Sequence, residues 1–139
     1  GIGCVRREVA SVNDPHDLKM DSQGRLFVAD RGNNRIQIFD SEGELLSIWT
    51  QFGRPSGIWI DAQDKIYVAD GMSGDQWNPG WQRGIRIGDA KTSWITDFIP
   101  DYEVQNGSGI EFLATDAEGN IYAGQVGRQR FEKYVRVRP

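Results

Sequence analysis

The sequence predicts an all-β fold built from repeated four-stranded units. Three observations carry this: a segment that recurs with fixed internal spacing, apolar–polar alternation at the period of a strand, and Asp- and Gly-rich turns between the alternating runs. The recurring segment is Leu18-Lys19-Met20-Asp21, a four-residue turn, then Leu26-Phe27-Val28-Ala29-Asp30. It returns as Ile58-Trp59-Ile60-Asp61 before Ile66-Tyr67-Val68-Ala69-Asp70, and as Leu113-Ala114-Thr115-Asp116 before Ile121-Tyr122-Ala123-Gly124-Gln125. Asp21, Asp61 and Asp116 lie 40 and then 55 residues apart, and an insertion in the second copy accounts for the longer step.

Each element follows in order. The two runs of the repeat are the first and second strands of a unit. Arg35–Asp40, Gly84–Asp89 and Arg130–Tyr134 alternate as third strands. Leu45–Trp49 and Trp94–Phe98 supply a fourth strand in the first two copies. Turns such as Asp21–Gly24 and Asp116–Gly119 suit tight reversals, because glycine accepts positive φ at little cost. Units of about 40 residues with four antiparallel strands have the size of a β-propeller blade. One blade cannot cover its own two faces; radial stacking covers them.

The expected architecture is a single partial propeller domain over 1–139, of about three blades. The blades span 14–53, 54–105 with a loop insertion at 71–82, and 106–139 lacking its outer strand. Closed propellers typically have four to eight blades. Three therefore imply either missing upstream blades or a homo-oligomer that completes the ring. A strand over Val5–Ala10 would supply a neighbour's missing outer strand. The chain opens on Gly1 without an initiator Met, as expected of a fragment or a cleaved-tag remnant.

Composition narrows the function classes. Sixteen Lys and Arg against twenty Asp and Glu give a net charge of -4, which disfavours nucleic acid as a partner. No run approaches the apolar length of a membrane span, and the first residues carry no signal core, so neither membrane nor compartment is indicated. The lone Cys4 excludes an intramolecular disulfide, and the lone His16 excludes a site of two or three histidines from one copy. Asn106-Gly107-Ser108 matches a glycosylation acceptor, a tripeptide common by chance.

Antiparallel connection sends the long loops and the starts of the first strands to one face, where function concentrates on a rigid scaffold. His16, Ser56 and Glu111 hold equivalent positions in the three repeats, at the inner end of the first strand. An imidazole and a carboxylate there are candidate ligands for a divalent metal such as zinc. Arg31 has no counterpart in the other repeats and is suited to a two-pronged grip on a carboxylate. Asp30 and Arg35 do recur in kind and are expected to lock loops between blades. Asn33, Ser56 and the insertion tryptophans Trp77 and Trp81 complete the candidate ligand surface. Trp49, Trp59 and Trp94 are expected in the core.

Pro15-His16-Asp17-Leu18, the run from Leu26 to Phe39 and Phe52-Gly53-Arg54 resemble the NHL-repeat family. Within it the likeness is to the core of the peptidyl-α-hydroxyglycine α-amidating lyases. That resemblance implies a six-bladed propeller with a three-histidine zinc site, a structural calcium, and catalytic arginines and tyrosine. By it, His16 stands at a zinc-ligand position and Arg31 at a catalytic-arginine position. Ile110-Glu111-Phe112 replaces a Pro-His-Asp, so a zinc histidine becomes Glu111 and a calcium ligand becomes Phe112. The leading expectation is a module binding a peptide or small ligand on its loop-rich face; the rival is a metal-dependent lyase or lyase fragment.

Overall fold

A computed structural model describes residues 9–103 and 108–137. Cys4, Asn106 and residues 5–8 of the expected first strand lie outside the described residues; Val9 and Ala10 are not in a strand. The described chain is all-β: β1 (Pro15–Met20), β2 (Leu26–Asp30), β3 (Arg35–Phe39), β4 (Leu45–Trp49), β5 (Ile58–Ile60), β6 (Lys65–Asp70), β7 (Gly84–Asp89), β8 (Ile95–Pro100), β9 (Phe112–Thr115), β10 (Ile121–Gln125) and β11 (Arg130–Tyr134). A 3-10 turn, Arg31–Asn33, joins β2 to β3.

These strands form three antiparallel meanders, β1-β2-β3-β4, β5-β6-β7-β8 and β9-β10-β11. The innermost strands pack on one another, β1 on β5 and β5 on β9, so the sheets fan out from a common axis. This is a partial β-propeller of three blades, the third with three strands among the described residues.

The first-strand turns explain the recurring aspartate. Asp21 accepts the amides of Gln23 and Arg25, Asp61 those of Gln63 and Lys65, and Asp116 those of Glu118 and Asn120. Each carboxylate thereby closes its own turn. Gly24 and Gly119 take φ of 77° and 83°, and Asp64 takes the same left-handed region at 59°.

Strand alternation divides each sheet into two faces, and both faces of the middle sheet are covered. Phe27, Ile36 and Ile38 of the first sheet share a core with Ile58, Ile66 and Val68 of the second. Tyr67, Ile85 and Ile87 share another with Leu113, Ile121 and Ala123 of the third. Burying each of the valine, leucine, isoleucine and phenylalanine side chains among them contributes about 1.5–3 kcal/mol. Polar ties reinforce the stack. Ser22 donates its amide and hydroxyl to Asp64, the Ile58 amide donates to Asp17, and the Trp59 indole donates to Thr115 Oγ1.

A buried polar node ends the second strand of each blade. Asp30 is fully buried and accepts from the Asn13 amide at 2.7 Å, Arg35 Nε at 2.6 Å, and the side chains of Asn33 and Gln37. Asp70 repeats this with the Arg54 amide, Ser73 and Arg86, and Gln125 with Arg128 and Arg130. Asp30 and Arg35 thus lock the loops of one blade and the segment that leads into it. The tie between the first two blades at this level comes instead from Arg54, which donates to the Arg31 carbonyl and to Asn34 Oδ1.

The tryptophans divide. Trp49 is buried between Phe27 and Phe52, and Trp59 is half-buried. Trp94, expected in the core, is 75% exposed and precedes β8. Its carbonyl instead accepts the Asp89 amide in the turn between β7 and β8, which leaves the indole outside.

Burial alone would raise the Asp30 carboxyl, but the donors from Asn13, Arg35, Asn33 and Gln37 outweigh it and hold it below the usual carboxylate range. A carboxyl depressed in the folded state stabilises above its unfolded value, and that stabilisation is lost as pH falls through the folded one. Chemical denaturation should therefore show stability falling below about pH 4. Asp30→Asn should cost on the order of 2–4 kcal/mol at neutral pH and flatten that acid limb. An unchanged acid limb in the variant would remove Asp30 from the account.

Candidate functional site

The loop-rich face gathers residues from all three blades. His16 comes from β1, Arg31 from the turn after β2, Arg54 and Ser56 from the segment before β5, and Glu111 from the residue before β9. Gly57 makes the approach possible: a Cβ there would collide with the Glu111 carbonyl oxygen, so only glycine lets the segments leading into β5 and β9 lie this close. His16 Nε2 lies 3.7 Å from Glu111 Oε2 and 3.4 Å from Arg31 Nη1. The nitrogen thus faces a donor and an acceptor, and either tautomer finds a partner. The imidazole also stacks on Phe112, with ring centroids 6.4 Å apart.

Arg31 is fixed from its other side by Asp14, Nε to Oδ2 at 2.8 Å. The hydrogen bond from Arg31 holds the Asp14 carboxyl below its ordinary value, against a lesser opposing effect of burial. Arg54 is buried beneath Trp77, its guanidinium 4.9 Å from the ring centroid. Burial first, and then the nearby Arg31 charge, lower its affinity for a proton. Among the described residues, Arg54 Nε and Ser56 Oγ are buried without a hydrogen-bond partner.

The candidate residues therefore separate. His16, Arg31 and Glu111 come together. Ser56 is near them in the fold but fully buried, with its amide bound to the Ala69 carbonyl. Asn33 is exposed, with its amide nitrogen on Asp30. Trp77 and Trp81 are 42% and 38% exposed. Each lies over a scaffold guanidinium, Trp77 over Arg54 and Trp81 over Arg86, so the insertion is pinned at two points while part of each indole faces solvent. Asp14 and Arg54 had no assigned site role on sequence grounds, and Phe112 entered only as the replacement of a calcium ligand. The first two sit where the chain leads into β1 and β5, beside Pro15 and Pro55, which is the signal that marks them.

Zinc, which the lyase likeness implies, finds one imidazole and one carboxylate here. No group of three His, Cys, Asp or Glu side chains converges among the described residues. A catalytic zinc normally takes three protein ligands, and the Arg31 cation beside Nε2 opposes a second cation. The described residues do not make a zinc site by themselves.

The fold and the gathered loops define a class, the repeat propellers. Comparison with known proteins narrows it. Residues 12–39 match the NHL repeat family. The chain is similar to NHL repeat-containing protein 3 of Homo sapiens, 36% identical over 139 residues, covering 91% of this chain and 36% of that protein. The Mus musculus counterpart is 34% identical over 140 residues, with the same coverage. Protein lin-41 of Caenorhabditis elegans is 52% identical over 33 residues, 24% of this chain and 3% of that protein. The chain spans little more than a third of the length of the first two relatives. Among solved structures, that titled streptogramin B lyase superposes with a TM-score of 0.60 at 15% identity, covering 88% of this chain and 37% of the other. At that identity the likeness speaks for the fold alone.

Proposed function

We propose that this chain is a module of an NHL-type propeller that binds a peptide or small anionic ligand on its loop-rich face, within a ring completed by further blades or by a second copy. The observation that supports the reading is the meeting of His16, Arg31 and Glu111 from two blades, with Arg54 and Trp77 beside them. Arg31 and Arg54 put two cations at one rim. A ligand carboxylate would compete with Asp14 for Arg31, and an apolar group would lie on the open part of Trp77. Nucleic acid is disfavoured by the acidic balance of the chain.

Calorimetric titration with short peptides carrying a free C-terminal carboxylate tests this. Binding should weaken about tenfold or more in Arg31→Ala, the usual cost of losing a charged hydrogen bond. It should weaken likewise when the peptide is amidated. Binding that ignores both changes, or no binding across the peptide set, would contradict the reading.

A second reading, a metal-dependent lyase or part of one, is supported by the His16–Glu111 pair, whose third ligand would come from outside the described residues. Bound metal would act as a Lewis acid, while Arg31 would orient the substrate carboxylate. Elemental analysis separates the two. Stoichiometric zinc that His16→Ala abolishes favours the lyase; metal-free protein that still binds peptide favours the module.

A further inference from the structure

Arg86 and Arg128 are buried guanidinium groups paired with carboxylates. Arg86 Nη1 lies 3.2 Å from Asp70 Oδ2, and Arg128 Nη2 lies 3.0 Å from Asp101 Oδ2. Arg54, 7% exposed, differs. Its Nη1 donates to two neutral acceptors, the Arg31 carbonyl at 3.1 Å and Asn34 Oδ1 at 3.0 Å. The carboxylates whose charge it feels, Asp14 and Asp70, are paired with Arg31 and Arg86, and Asp70 takes only the backbone amide of Arg54. Its Nε is buried without a hydrogen-bond partner. A buried cation without a counter-ion and a buried donor without an acceptor both cost stability, and both favour an anion.

Ser56 Oγ is the second such atom, on a fully buried residue. The backbone puts it on the same face as Arg54. The amides of both residues point at β6, to Asp70 Oδ2 and to the Ala69 carbonyl. Ile58 packs into the core shared with the first blade, whereas a Cβ on Gly57 would meet the Glu111 carbonyl beside the third. Alternation back from Ile58 turns Ser56 and Arg54 toward the first blade, where Arg54 meets Arg31 and Asn34. One N–H and one O–H thus stand two residues apart on one face, beside one positive charge. A carboxylate matches them, with two acceptor oxygens and a single negative charge. A phosphate brings more charge and more acceptors than these groups meet.

Trp77 covers the guanidinium, its ring centroid 4.9 Å away. The insertion that carries it is fixed at its base. The Gly71 carbonyl accepts the Gly109 amide, Ser73 binds Asp70, and Arg83 Nε donates to the Ser73 carbonyl. Trp81 is held separately on Arg86. Rotation of the Trp77 indole about its own side-chain bonds uncovers Arg54 while these ties, and that from the Gly74 amide to the Trp77 carbonyl, stay made.

We propose that Arg54 and Ser56 form an inner subsite for a carboxylate and that the Trp77 indole is its lid. Arg54 Nε and Ser56 Oγ donate to the two oxygens, and the indole swings off the guanidinium to admit them. This deepens the module reading by naming a subsite and its cover; it rests on that reading for the rest of the ligand, not for the carboxylate itself.

Fluorine magnetic resonance of the full chain labelled with 5-fluorotryptophan tests it, because Trp77→Phe assigns one signal among the five tryptophans. Acetate at constant ionic strength should shift the Trp77 signal saturably. Acetamide, its neutral counterpart, should not. Ser56→Ala should weaken acetate binding about tenfold or more, the loss of a hydrogen bond to a charged group. Without acetate its melting temperature should hold or rise, since a methyl replaces an unpartnered hydroxyl. A Trp77 signal that ignores acetate, an equal shift with acetamide, or undiminished acetate binding in Ser56→Ala would each overturn the proposal. So would a lowered melting temperature of acetate-free Ser56→Ala, which would mean that the hydroxyl already has a structural partner. Peptide binding that needs Arg31 but is indifferent to Ser56→Ala would remove the subsite and leave the module reading intact. Acetate binding without peptide binding would do the reverse.

Discussion

Coverage of two apolar faces per sheet is the constraint from which the structure follows. A four-stranded meander that is apolar on both sides has no stable life in water alone. It must be sandwiched, and a repeat supplies its own sandwiching partner. The middle sheet meets the requirement fully, with Ile66 and Val68 on one side and Tyr67, Ala69 and Ile85 on the other, all buried. The polar ties across blades, such as Ser22 to Asp64 and Trp59 to Thr115, set register between sheets that apolar contact alone would leave free to slide.

The same stacking positions the loop face. Radial order puts the starts of β1, β5 and β9 side by side, and the missing side chain of Gly57 lets the last two close up. Buried nodes at Asp30 and Asp70 then hold the loops that present Arg31 and the tryptophan insertion. Charge is balanced locally, with Asp14 and Glu111 set against Arg31 and Arg54. The site is a small polar cluster on an apolar scaffold, and its chemistry depends on which external anion or metal joins it.

Much of the fold was legible because the repeat is a physical unit. Identical spacing around Asp21, Asp61 and Asp116 reflects one turn closed by one carboxylate, and alternation in β3, β7 and β11 reflects faces that meet different neighbours. The convergence of His16 and Glu111 also followed, since equivalent positions at the inner ends of the first strands gather around one axis, and the pair meets across the intervening blade. What the sequence hid were interactions set by loop conformation. The stacking of Trp77 on Arg54 and of Trp81 on Arg86 depends on how the insertion folds back. Trp94 looked like a strand residue by hydrophobicity, but its position at a turn leaves it in solvent. Arg35 was expected to join blades; its short bond to Asp30 keeps it within one.

The central claim is that faces of consecutive sheets are buried against each other. Methyl-resolved nuclear magnetic resonance tests it most directly. The account predicts Overhauser contacts linking Phe27, Ile36 and Ile38 to the methyls of Ile58, Ile66 and Val68, across sheets and far apart in sequence. Methyls of Ile58, Ile66 and Val68 that contact only their own sheet, or that are open to a paramagnetic agent in solvent, would contradict it.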